Sequence, residues 1–138
     1  MKPIHDQGLL DTSVVVDLAS LVGTGILPAE SYISTVTLAE LSVGPLIAKN
    51  AAEQIARQSI LQLVEAHFDP LAFDANSARI FGRLAAQLRA SGRKSSAKAF
   101  DTLIAATAIQ HELPLFTKNV SDFANIEGLV LVEVKENS

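Results

Sequence analysis

The chain of 138 residues contains no cysteine and no tryptophan, and its aromatics are one tyrosine and six phenylalanines. Each scarcity removes a class of explanation. Without cysteine there are neither disulfides nor thiolate zinc sites, and a reducing cytoplasm is permitted. With so few aromatic rings, stacking of successive bases in the manner of single-strand binders is poorly supported. Histidine is thin as well. His111-Glu112 opens like a zinc-protease HExxH, but Leu115 stands where the second histidine is needed. His5 and His67 read as ordinary surface or core residues. Long apolar runs are missing: Asp11 and Asp17 interrupt the start "MKPIHDQGLLDTSVVVDLAS", so it lacks a signal-peptide core, and no stretch is long enough to span a bilayer. Phosphate-binding glycine loops are absent too, since "GTG" has no third spaced glycine and "GRKS" lacks the Walker spacing. The expectation is a cytoplasmic protein with no membrane association.

What is present suits one compact domain over residues 1–138, with 49% hydrophobic and 19% charged residues. A mean hydropathy of +0.30 beside a pI near 5.3 implies a well-buried sheet together with some apolar surface kept for a partner. Periodicity alternates between strand and helix. "GLLD" reads as a short strand ending in an acid, "TSVVVDLASL" as a helix despite its β-branched run, and "SYIST" as a second strand. "TLAELSVGPLIAK" is a helix broken near Gly44-Pro45, and "AAEQIARQSILQLVEA" a further helix. "DANSARIFGRLAAQLRASG" is a third, with Asp74 as N-cap and Gly92 just past its end. After the polar "GRKSSAK" come the helix "KAFDTLIAATAIQ" and the strands "LPLFT" and "LVLVEV". Strands alternating with helices imply an α/β fold, a mostly parallel sheet covered on both faces, with its functional crevice at the carboxyl ends of the strands.

That rule selects acids. Asp11 ends the first strand, Glu40 and Asp122 follow the second and the "LPLF" strands, and Asp101 begins a helix aimed at the same edge. Each has a plain structural reading. Asp11 would cap the helix after it; Thr37 and Glu40 match the T-x-x-E capping box; Asp122 would stabilise a turn; and Asp101 would be the N-cap of a helix starting at Thr102. The joint placement points further, because carboxylates converging at one edge repel one another and a divalent cation with oxygen ligands relieves them. Mg2+ or Mn2+ suits such a set and would polarise a phosphodiester, with the hydroxyls of Thr12, Ser13 and Thr117 orienting water or phosphate. Charge is also segregated. Residues 75–100 hold six of the eleven basic residues, Arg79, Arg83, Arg89, Arg93, Lys94 and Lys98, and no acid. This strip reads either as a solvated helix face or as a cradle for a polyanion leading to Asp101.

The pieces "LLDTSVVVDL", "STVTLAELSVG", "AFDTLIAATAIQHELPLFTKN" and "VSDF", which span nearly the whole chain, resemble a PIN-domain ribonuclease of the VapC toxin type. The resemblance implies a PIN-like fold and Mg- or Mn-dependent endonucleolytic cleavage of RNA, with tRNA and rRNA both used by relatives. It places metal ligands at Asp11 and Asp101, with Glu40 as the third acid of the site. Where many relatives carry a further Asp after the late strand, this sequence has Asn119, with Asp122 three residues on. Arg89, Arg93, Lys94 and Lys98 would hold the RNA. The resemblance also implies a small VapB-type antitoxin partner, for which the helices between Thr37 and Ala66 are the candidate surface, and commonly a homodimer. The alternative function is a non-catalytic PIN-fold module that binds RNA or protein.

Overall fold

The structure, a computed structural model, describes residues 5–92 and 99–135. Its centre is a parallel sheet of four strands in the order β2-β1-β3-β4, formed by β1 (Gln7–Leu10), β2 (Glu30–Tyr32), β3 (Leu115–Thr117) and β4 (Leu131–Glu133). The helices are α1 (Thr12–Val15), α2 (Leu18–Leu21), α3 (Thr35–Val43), α4 (Ala51–His67), α5 (Ala75–Ala90) and α6 (Ala99–Gln110).

Neighbouring strand residues point to opposite faces, and the core divides accordingly. Leu9 and Leu115 join Leu84, Ile104, Ala105 and Ala108 under α5 and α6. Leu10 and Phe116 join Val14, Leu41 and Val64 on the other face, under α1, α3 and α4. Each face buries its own apolar set, which is why the central strands read as continuous apolar runs. Gly8 is required by this packing: a Cβ there would lie 2.4 Å from the Phe116 ring. No helix among the described residues is long and apolar enough to cross a membrane.

The α4 bounds, the Asp74 cap and the break at Gly44-Pro45 agree with the sequence pattern. Asp74 accepts the Ser77 N–H at 2.9 Å, and Gly92, at φ 81, follows the end of α5 in the left-handed region that glycine enters without strain. Three expectations are corrected. "TSVVVDLASL" is not one helix but two short ones, because the valine run is a weak helix former and Asp17, non-helical at φ −108 and ψ 14, turns its carboxylate to Lys118 instead of capping α2. "SYIST" ends as a strand at Tyr32, since Ser34 already caps α3 by accepting the Thr37 N–H at 3.1 Å. Thr37 is therefore a helical residue, and the Thr37–Glu40 capping box does not form. Finally, α6 begins by Ala99, so Asp101 lies inside its first turn rather than at an N-cap before Thr102.

Candidate active site

Parallel pairing brings the ends of β1 and β3 side by side: Leu10 pairs with Phe116, and the Asp11 N–H donates to the Phe116 carbonyl at 3.0 Å. Asp11 thus leaves the sheet next to Thr117, and it is only 4% exposed. Both of its carboxylate oxygens are engaged. Oδ1 accepts the Ser13 hydroxyl at 2.6 Å and the Val14 N–H at 3.3 Å, and Oδ2 accepts the Thr117 hydroxyl at 2.6 Å. Burial pushes the Asp11 carboxyl above its ordinary value, and the Ser13 and Thr117 hydroxyls and the backbone N–H groups of Val14 and Ser13 oppose that shift.

The two hydroxyls are themselves fixed by the backbone after β3. Ser13 Oγ accepts the Lys118 N–H at 3.1 Å, and Thr117 Oγ1 accepts the Asn119 N–H at 3.0 Å. Each hydroxyl spends its single proton on Asp11 and its lone pair on an N–H, so both are oriented rather than free to rotate. The Lys118 ammonium pairs with Asp17, clamping the α1–α2 break to the strand end.

Glu40 enters from α3. Thr12, the first residue of α1, donates its hydroxyl to Glu40 Oε1 at 2.7 Å and stands 3.2 Å from Thr37 Oγ1. Since that proton is committed to the carboxylate, Thr12 acts as acceptor toward Thr37. Consecutive residues therefore join the two acids: Thr12 holds Glu40 and Ser13 holds Asp11. Thr37 was legible only as a cap residue. Its spacing of three from Glu40 puts both on one helix face, and this is the signal for its actual place beside Thr12.

Topology brings Asp101 to the same edge. Gln110, at the far end of α6, approaches the Asp74 cap of α5 with Nε2–Oδ2 at 3.5 Å, and a short connection then enters β3 at its start. Because α6 packs along the sheet through Ile104, Ala105 and Ala108, its first turn lies at the carboxyl ends of the strands. Asp101 is half-buried there, on the end of α6 where the macrodipole favours a carboxylate. Asn119 is exposed just past β3, and Asp122 is half-buried in the 3-10 turn Val120–Phe123, its N–H on the Asn119 carbonyl at 3.0 Å. Arg89 is exposed in the last turn of α5, whereas Arg93, Lys94 and Lys98 lie outside the described residues.

The donor set at this edge is carboxylate and hydroxyl oxygen, which is the chemistry of a hard divalent cation. Among the described residues no three acidic or histidine side chains form a group able to enclose an ion by themselves. Mg2+ does not require such a cage, being commonly bound through one or two carboxylates with water and substrate phosphate completing the shell. The residues fit an ion of that kind.

Comparison with known proteins gives the family of the chain. The PIN domain model matches residues 9–129. Ribonuclease VapC5 of Mycobacterium tuberculosis is 36% identical over 136 residues, covering 97% of this chain and 98% of that protein. Ribonuclease VapC1 of Rickettsia felis is 32% identical over 105 residues, 76% of this chain and 77% of the relative. Among solved structures, VapBC-5 from Mycobacterium tuberculosis, a member of the VapBC family of toxin-antitoxin systems, superposes with a TM-score of 0.79 at 30% identity, over 94% of this chain and 99% of that one.

Proposed function

Because this chain belongs to the PIN-domain family, among the VapC ribonucleases, we propose that it is the toxin of a toxin-antitoxin pair and cleaves RNA with Mg2+ or Mn2+. The observation that carries the reading is the buried Asp11, with hydroxyl donors on both oxygens and Glu40 anchored through the adjacent Thr12. A purely structural cap would need one acceptor atom. Here a charge is kept in a desolvated place and aimed by three donors.

The cation, when bound, supplies Lewis-acid polarisation of the phosphodiester and lowers the pKa of water. Asp11 and Asp101 would hold it, with Glu40 as the third acid. Asp11 is kept in one orientation by Ser13 and Thr117, so little reorganisation accompanies the reaction. Thr12 engages Oε1 of Glu40, and Oε2 would accept the proton of the attacking water as its oxygen bonds to phosphorus and the P–O bond to the leaving sugar oxygen breaks, that oxygen taking a proton from solvent. Asn119, exposed at the end of β3, would orient water, with Asp122 one turn further on.

The partner proposed is a VapB-type antitoxin, in line with the toxin-antitoxin complex among the structural neighbours. Its seat is the exposed apolar group Val43, Leu46, Ile47 and Ile55, within the helices between Thr37 and Ala66. An antitoxin helix would set apolar anchors there at helical spacing. The test is cleavage of tRNA and rRNA by antitoxin-free protein: EDTA and Asp101→Asn are each expected to stop it. Cleavage by the Asn variant at the wild-type rate would overturn the catalytic assignment, and RNA binding without cutting would indicate a binding module instead.

A further inference from the structure

Resting on the ribonuclease reading, we propose that Phe100 stacks against an unpaired RNA base at the rim of the acidic site, and so positions the nucleotide that lies beside the cleaved phosphate. The chain's few rings are otherwise in use. Phe116 and Phe123 are 1% exposed, and Tyr32, Phe68, Phe73 and Phe81 pack against the two cores. Phe100 is 52% exposed, the one aromatic exposed among the described residues. For stacking a single base, what matters is which ring is left outside, not how many there are.

Its position gives the ring a task. Phe100 immediately precedes Asp101 in the first turn of α6, the turn that lies at the carboxyl edge of the sheet. The contact between Gln110 and Asp74 shows that α5 and α6 run antiparallel, so the Arg89 end of α5 lies beside the Phe100 end of α6. Arg79, Arg83 and Arg89 are exposed along α5, a helix with no acid. Exposed cations on the neighbouring helix and one outward ring, next to a carboxylate of the site, match a single-stranded nucleic acid: phosphates for the arginines and a π face for the ring. A protein partner is the weaker fit, because the larger exposed apolar group sits on the end of α3, the Gly44–Ile47 turn and α4, away from these cations.

Stacking of one base on an aromatic side chain changes affinity by about tenfold to a hundredfold on truncation. The test uses the full chain and a set of short single-stranded RNAs, each carrying 2-aminopurine at a different position and containing a mapped cleavage site. Wild type is expected to quench the probe at one position next to that site. Phe100→Leu is expected to lose this quenching and raise KM by about tenfold or more with kcat at saturation unchanged, while Phe100→Trp restores both. A Leu variant with wild-type quenching and KM overturns the proposal, as does a variant that binds RNA normally and loses only antitoxin. Quenching that depends on Phe100 in a protein that never cuts would leave stacking standing and remove the nuclease reading. Cutting by wild type with no Phe100 dependence would do the reverse. Far-UV circular dichroism and melting of each variant exclude misfolding as the cause.

Discussion

Replacing Thr117 by valine keeps the shape of the side chain and deletes the donor to Asp11 Oδ2. Thr117 is 0% exposed and Asp11 4% exposed, so no water takes the vacated place. A hydrogen bond to a charged group contributes about 1.5–3 kcal/mol, a neutral one about 0.5–1.5. The second loss, the acceptor for the Asn119 N–H, is smaller because Asn119 is exposed and its N–H is rehydrated. At neutral pH the variant should therefore lose about 2–3 kcal/mol, equivalent to a fall in Tm of about 6–12 °C for a domain of this size.

The pH dependence of this loss has a definite sign. Removing a donor that favours the ionised form raises the already raised Asp11 pKa further, so the variant's native state holds its proton more tightly. On acidification toward the ordinary value of 3.8 the carboxyl becomes neutral, and the deficit should shrink to about 1 kcal/mol. Thermal melts by circular dichroism in EDTA, from neutral to acid, measure it. A deficit that stays constant or grows in acid would refute the claim that Thr117 serves an ionised Asp11. Ser13→Ala is the internal control: Ser13 is half-buried, water can replace its hydroxyl, and its deficit must be the smaller of the two.

Three further outcomes are expected. Asp11→Asn should abolish cleavage yet raise Tm at neutral pH in EDTA. Burial raises the native pKa of Asp11, so the stability this group contributes is full in acid and lost as pH rises through the folded value, a loss asparagine does not suffer; a neutral-pH Tm below wild type would contradict this. Gly8→Ala should cost about 1–3 kcal/mol by forcing the Phe116 ring away from the new Cβ, and an unchanged urea midpoint would show that the ring moves freely. Leu46→Asp with Ile55→Asp, at sites 84% and 66% exposed, should leave stability within about 0.5 kcal/mol and RNA cleavage intact while abolishing co-purification with the antitoxin; retained complex would place the partner elsewhere.

The features legible in the sequence are those fixed by local chemistry. Asp74 and Gly92 bound α5 through a cap and a left-handed turn, and the apolar runs at Leu9–Leu10 and Leu115–Phe116 follow from burial on both faces of the sheet. What was not legible depends on residues distant in the chain. The break between α1 and α2 is set by Asp17 meeting Lys118, and no window around "VVVDLAS" contains Lys118. The sequence pattern offered Thr37 as the cap of α3. Ser34 takes the role because its backbone is held extended beside Leu71, a pairing that local pattern does not show.

The same distinction bears on the acids. Asp101 and Glu40 each had a capping explanation, and the structure removes both, since Asp101 lies inside α6 and Glu40 receives the Thr12 hydroxyl. Asp11 does cap α1, accepting the Val14 N–H at 3.3 Å, but that long bond is weaker than those from the Ser13 and Thr117 hydroxyls. Capping a helix of four residues does not account for a carboxylate 4% exposed and gripped on both oxygens by hydroxyls at 2.6 Å. An amide or hydroxyl would cap as well without the desolvation of a charge. The proposed cation-binding role accounts for a charge at the strand end where a cap alone does not. The order Asp11-Thr12-Ser13 follows from the same need: one residue carries the charge, the next ties Glu40 to it, and the third orients it.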